Sequence, residues 1–272
     1  MKNYRTLICG KMRQKTALNV GGASQDSSSV MTFRNGDGLL TIPATSLAGA
    51  FVETAMRLFP DFGKKNSGPE WKRISGKLRN SIDDEFMASV FNFENMHTLR
   101  GVFTEMRQGV GINAATGTAA EGTLFESEVV PAGTEWGFFL EIDTFRGGQV
   151  AEAIAMMVLG EWNSGYGWLG KNNARGCGWF EFLEPELLQL PVDCLGLWPD
   201  SSKTVSQVFD DLKKQANIKK TDFKTVYDES IKLLSSVLTS SWHYLSLKFA
   251  IKPGESGDGY GYDAIQSGGH EA

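Results

Sequence analysis

The sequence predicts an α+β protein with a ferredoxin-like (RRM-like) βαββαβ core, an inserted hairpin and a helical C-terminal addition. Three observations predict it. Strand patterning recurs at the start of the chain, near 86–93, at 136–142 and at 178–183. Two apolar helical stripes, over about 46–59 and 149–159, fall between those strands in the required order. A long excursion at about 95–134, rich in small residues and too poor in apolar bulk to pack a core, interrupts that order. In this plan two helices cover one face of an antiparallel sheet, and the other face is expected to stay open to ligand.

Each element has its own warrant. Residues 4–20 read as a strand with Ile8 and Met12 on one face and Lys11, Arg13 and Lys15 on the other. Three cations on one strand face cannot be buried without partners. Either that face is solvated or it meets a polyanion, and both readings stand. Gly21-Gly22 breaks the strand, and residues 23–41 form a polar loop with a turn at 35–38. Within this loop Asp26 could hold a divalent cation or orient a ribose hydroxyl, or it could be an ordinary turn residue. Thr45-Ser46 is expected to cap the first helix, whose stripe is Leu47, Phe51, Ala55 and Leu58, with Pro60 as its stop.

A basic insertion follows at 61–82, then the strand Phe86 to Phe93. After the excursion come the strand Trp136–Ile142 and the helix Gln149–Leu159. The loop 165–178 carries five glycines with Lys171 and Arg175. Glycines let backbone N–H groups approach a phosphate, though a plain surface loop has the same composition. The loop precedes a strand instead of opening a helix, so it is no dinucleotide fingerprint. Beyond the strand 178–183, Val205, Val208, Phe209 and Leu212 mark one amphipathic helix. Phe223, Val226, Tyr227, Ile231, Leu234 and Leu238 mark a second, Leu245 to Ile251 a last strand, and 253–272 a loose tail. The expected organisation is a core over 1–183 and an addition over 184–272 packed on the same domain.

Composition excludes several classes. The net charge of −5 over 272 residues argues against an indiscriminate polyanion binder, although local potential matters more. No apolar run is long enough for a membrane span, and no signal-peptide pattern is present, so a cytoplasmic protein is expected. Cys9, Cys177 and Cys194 form no metal or disulfide pattern. His97 and His243 have no carboxylate or cysteine at ligand spacing, and Ser46 lies in no nucleophile elbow.

Four segments in order resemble the RAMP superfamily of CRISPR-associated proteins, and most of all the backbone subunits of type III effector complexes. They are Thr16–Gly22, Ile42–Ala50, Gly111–Thr134 and Gly170–Gly178. They look like the family's first strand with its Gly-Gly turn, its helix start, its thumb hairpin and its terminal glycine-rich loop. Ala44 and Ala48 depart from the Gly and Lys usual at that helix start, and Ala174 stands where Ser is frequent.

The resemblance implies a subunit that stacks with other RAMP subunits along a CRISPR guide RNA and distorts the paired target RNA with its thumb. Guide contacts would come from Lys11, Arg13, Gly21, Gly22, Thr45, Ser46, Arg107, Lys171, Asn172 and Arg175. The thumb would carry Ile112, Thr116, Leu124 and Phe125. Asp26 matches the loop aspartate that cuts target RNA with a divalent cation, Mg²⁺. Two alternatives accompany this reading: a non-catalytic backbone subunit, and a guide-processing endoribonuclease. The second usually relies on a histidine near the N-terminus, whereas the first histidine here is His97.

Overall fold

A computed structural model of the chain describes residues 4–21, 29–59, 89–191, 205–215 and 218–237. The central sheet has the order β10-β9-β1-β8-β4. Its strands are β1 (Tyr4–Gln14), β4 (Phe91–Phe93), β8 (Glu135–Ile142), β9 (Phe180–Pro191) and β10 (Lys219–Asp222). Every pairing in it is antiparallel. Without β10 the order is that of a ferredoxin-like sheet, the fourth strand beside the first and the first beside the third.

The patterning of β1 decides which face carries the core. Thr6, Ile8, Met12 and Gln14 are buried beneath α1 (Ala44–Leu58) and α2 (Thr144–Glu161). Phe51 of α1 packs on Phe91, Phe93 and Trp162, and Trp162 packs edge-on against Phe180. The polar members of this layer are bonded. Gln14 accepts from the Trp136 indole at 2.6 Å and donates to the Val130 carbonyl, and Thr6 donates to Glu152 at 2.7 Å. A buried polar group costs little when it is satisfied in this way.

Several boundaries differ from the sequence expectation, each for a local reason. The first strand stops at Gln14 instead of running to 20, because the N–H groups of Lys15 and Thr16 both turn to the Trp179 carbonyl. The first helix starts at Ala44 and is not capped by Thr45-Ser46. Pro43 is the N-cap, and Asn95 Oδ1 accepts from the Ala44 N–H at 2.8 Å, a cap supplied from elsewhere in the chain. The second helix begins at Thr144, where the Asp143 carboxylate accepts from the Arg146 N–H, and it bends at Gly148. The last core strand extends past Leu183 to Pro191, where β10 pairs with it.

The expected turn is present, with Gly38 N–H donating to Asn35 O and the Asn35 side chain accepting from Asp37 and Leu39. The excursion is a hairpin of β6 (Glu105–Ile112) and β7 (Ala119–Val129). Two amphipathic helices stand near the places the sequence marks, α3 (Val205–Lys213) and α4 (Phe223–Val237).

One expectation about the sheet needs correction. Its second face is not open throughout. Val208, Phe209 and Leu212 of α3, with Ile218, seal Leu7, Phe139, Leu188 and Leu190 into a second core layer that Cys9 borders. Among the described residues, the other end of that face, with Lys11, Arg13 and Lys15, remains outside it. The basic insertion at 61–82, the stop at Pro60, the start of the strand at 86–88, Cys194, His243, the strand at 245–251 and the tail from 253 lie outside the described residues. Among the described residues no helix is long and apolar enough to cross a membrane.

Candidate nucleic-acid interface

The glycine-rich loop is built against the chain that leaves β1. Gly178 N–H donates to Ala17 O and Lys171 N–H to Asn19 O, both at 2.8 Å. Two glycines make this possible. A Cβ on Gly170 (φ +77°) would lie 2.2 Å from Asn19 O, and one on Gly178 (φ +88°) 2.0 Å from Leu169 O. Neither backbone could yield, so a side chain at Gly170 would push the loop off the chain leaving β1, and one at Gly178 would open the loop's own closure by the Leu169 N–H bond to Gly178 O. Lys171 then crosses Gly21, where a Cβ would meet its Nζ at 2.6 Å. Gly21 and the glycine-rich loop, distant in sequence, therefore form one surface. Asn172, in left-handed backbone (φ 63°), and Arg175 sit at its rim.

The hairpin stands beside that surface. Its turn is closed by bonds between Asn113 and Thr118 and from Gly117 N–H to Asn113 O, with Thr116 exposed at the tip. Met106, Val110, Ile112 and Leu124 are exposed, and Val110 pairs directly with Leu124. Phe125 pairs across the strands with Gly109, and its ring fills the space a Cβ there would need. The Arg175 guanidinium lies 5.3 Å from the centre of the Phe125 ring. Hairpin and loop are thus joined by a cation–π contact. Arg107, by contrast, is exposed and paired with Glu105 at 3.1 Å.

The root of the hairpin is held by a buried carboxylate. Glu128 accepts from both terminal guanidinium nitrogens of Arg34, the Thr104 hydroxyl at 2.6 Å and the Thr32 N–H at 3.0 Å. These bonds, Arg34 first, hold its pKa at about 2 against an ordinary 4.5. Beside it Leu18 bridges Val130, and β2 (Ser29–Val30) runs parallel to β7 with Ser29 opposite Glu126. The segment 22–28, with Gly22 and Asp26, lies outside the described residues. Its two anchors do not: Gly21 is under Lys171, and Ser29 is on the root of the hairpin.

A sequence model of the RAMP superfamily matches residues 13–181. The chain belongs to the RAMP superfamily. This is a family of CRISPR-associated RNA-binding proteins that act with RNA and protein partners. No curated protein matches the chain. The match covers the hairpin, which is the thumb in RAMP terms, together with both glycine elements and the start of α1.

The other expected RAMP contacts are distributed as follows. Thr45 is exposed and Ser46 half-buried in the first turn of α1, which carries no acidic residue to offset its positive end. The strand β3 (Thr41–Ile42) leads into this turn, and Ile42 lines one small apolar pocket with Leu18, Leu169 and Gly178. The strand that leads into α1 and the glycine-rich loop therefore border one interior space. On the palm, Lys11 and Arg13 share a face as expected, but Arg13 is not free. It donates to Glu135 Oε1 from Nη2 at 2.8 Å and from Nε at 3.2 Å, while Lys15 reaches Glu181 at 3.3 Å.

The described residues contain no group of three or more His, Cys, Asp or Glu that could hold a metal ion. Glu128, the most buried acid of the thumb root, is committed to Arg34. His97, on β5 (Met96–His97), shares a 3.0 Å hydrogen bond with the Thr41 hydroxyl. Sequence reasoning missed the Arg34–Glu128–Thr104 knot and the acids facing Arg13. Their signal exists only once strand register is known, since Arg13 pairs with Glu135 in β8 and with Glu181 in β9.

Proposed function

We propose that this RAMP protein is a guide-RNA-binding backbone subunit of a type III CRISPR effector, and that Asp26 cuts the bound target RNA with the help of a divalent cation, Mg²⁺. The observation that carries the reading is the convergence of three elements: the thumb root, the lysine-bearing glycine surface, and both anchors of the segment that contains Asp26. Residues 1–183 would be the RAMP palm with its thumb insertion, and 184–272 an addition on the same domain. The seat of α3 on the sheet supports its place on the same domain, although β9 runs unbroken across residue 183.

Backbone contacts suffice for such a subunit, because base pairing with the guide supplies sequence specificity. Lys171, Arg175 and the N–H groups around the glycines provide donors for phosphodiester oxygens. The thumb offers exposed apolar side chains, Ile112 and Leu124, that can displace one nucleotide from a stacked strand. A displaced nucleotide can place its 2′-oxygen in line with the departing 5′-oxygen, an alignment that A-form stacking forbids. Asp26 would accept the 2′-hydroxyl proton, directly or through water. A bound Mg²⁺ would offset charge that develops on the phosphate.

The test is Asp26→Ala in the assembled complex with Mg²⁺. Cuts made at this subunit should vanish while target binding persists. Cleavage at the wild-type rate and positions would overturn the assignment.

A further inference from the structure

The cations of the palm face occupy an electrostatic setting that their sequence pattern does not reveal. Arg13 is held by Glu135 through two nitrogens and lies 3.7 Å from Glu181, which also takes Lys15. The Arg13 bond lowers the Glu135 pKa, and the Lys11 and Arg100 charges add to that effect. Each partner is partly exposed: 43% for the Arg13 side chain, 39% for Lys15, 26% for Glu135 and 28% for Glu181. Two carboxylates thus stand where an RNA backbone would place phosphates. The neighbouring half of the same face is sealed by α3.

Magnitudes decide what such an arrangement does. Solvent-accessible ion pairs contribute only about 0–1 kcal/mol to folding, so stability alone gives a weak account of two acids on the strands either side of β1, both turned to its cations. Bonds from Arg or Lys to phosphate are charge-assisted and also release counterions, so an arriving backbone can displace the carboxylates. The acids stay beside the cations after displacement and repel the phosphate that has replaced them. A strand that touches the palm alone then binds weakly. A strand also held at Lys171 and Arg175 is retained.

We propose that Glu135 and Glu181 are built-in counter-anions that restrain Arg13 and Lys15 and set how tightly the palm takes a phosphodiester backbone. This rests on the reading of the palm as an RNA-binding face, and regulates that same face. The two acids determine selectivity: they suppress loose binding of any single strand without touching a base.

The experiment uses the full chain and a fluorescein-labelled oligouridylate, with anisotropy titrations over a series of NaCl concentrations. Five proteins are compared: wild type, E181Q, E135Q/E181Q, the same pair with R13A and K15A added, and E229Q. The last removes one exposed acid from α4 and serves as a charge control. Glutamine keeps the acceptor oxygen toward Arg13, and E181Q alone retains the Arg13–Glu135 bond should the double variant fold poorly.

E135Q/E181Q should bind about tenfold tighter, and its log–log salt slope should steepen by about 1.4, the value for two additional phosphate contacts on a single strand. E181Q alone should show a smaller gain of the same sign, and E229Q should match wild type. The gain should disappear with R13A and K15A. An E135Q/E181Q titration identical to that of E229Q, or a gain that survives loss of both cations, overturns the inference while RNA binding stands. Failure of every protein to bind RNA at low salt instead overturns the RNA-binding reading of the palm, and the inference with it.

Discussion

Replacing Glu128 by Gln should unfasten the thumb from the palm. The carboxylate serves four donors: two guanidinium nitrogens of Arg34, the Thr104 hydroxyl and the Thr32 N–H. Glutamine has one acceptor oxygen, and it points an amide donor at groups that are themselves donors. The drop of the Glu128 pKa from 4.5 to about 2 corresponds to about 3 kcal/mol of preference for the charged form in the native state. The Glu128 side chain is only 4% exposed, so solvent screens little of this, while the 35% exposure of Arg34 lets the widowed guanidinium rehydrate. A loss of about 2–3 kcal/mol at neutral pH follows, below the ~3–5 kcal/mol seen when a fully buried pair is broken.

The pH dependence gives a second readout. A carboxylate with a depressed native pKa stabilises above its unfolded pKa and loses that contribution as pH falls toward the native value. The gap between wild type and E128Q should therefore be complete above pH 4.5 and shrink steadily toward pH 2. Melting of both proteins by circular dichroism across that range measures it. A gap of equal size at pH 7 and near pH 2 would show that shape, not charge, holds the root, and the reasoning would fail.

Other perturbations probe separate parts of the site. Gly170→Ala places a methyl 2.2 Å from Asn19 O at φ +77°, so it should cost at least about 2 kcal/mol in thermal melts and displace Lys171, weakening RNA binding in the same preparation. Phe125→Ala removes both the cover over Gly109 and the partner of Arg175, and should lower stability by only about 1 kcal/mol. Limited proteolysis should nevertheless cut faster within 105–129, and an unchanged pattern would mean the contact does not fix the thumb. Burial, aided by the nearby Glu186 charge, pushes the Cys9 thiol up to about 11, so at pH 8 iodoacetamide should modify native Cys9 far more slowly than after unfolding.

What was legible in the sequence follows from the range of the forces involved. Period-two alternation in β1 and the stripe Leu47, Phe51, Ala55 are local, and the fold followed from them because each element's buried face is written in adjacent residues. The start of α1 was misplaced because its cap is Asn95, which reaches the Ala44 N–H from another part of the chain. The strand β10 went unread because Lys219-Lys220-Thr221-Asp222 has no alternation, and only the free edge of β9 makes it a strand. The candidate site shows the same division. The glycines and Lys171 were visible as types, but the passage of Lys171 over Gly21 needs two segments to meet. The Arg13 stripe was visible, whereas its neutralisation by Glu135 and Glu181 depends on register with two other strands.

The seat of α3 decides how much of the palm can serve a ligand, and one residue tests it. Phe209 is 1% exposed and packs in the cluster that holds Leu7, Phe139 and Leu188. Phe209→Ala removes a whole ring from that layer, a change that costs about 3–5 kcal/mol in a well-packed core. If α3 folds as one cooperative unit with the sheet, the single melting transition should shift down by about 6–20 °C, at about 2–4 °C per kcal/mol for a protein of this size. Cys9 borders the same cluster and owes its raised pKa first to burial, so its alkylation at pH 8 should accelerate in the variant. RNA binding at temperatures where the variant is folded should hold, because Lys11, Arg13 and Lys15 lie at the other end of the face. An unshifted transition with unchanged Cys9 reactivity would mean that α3 does not close that face in solution, and the palm would then offer a ligand its full width.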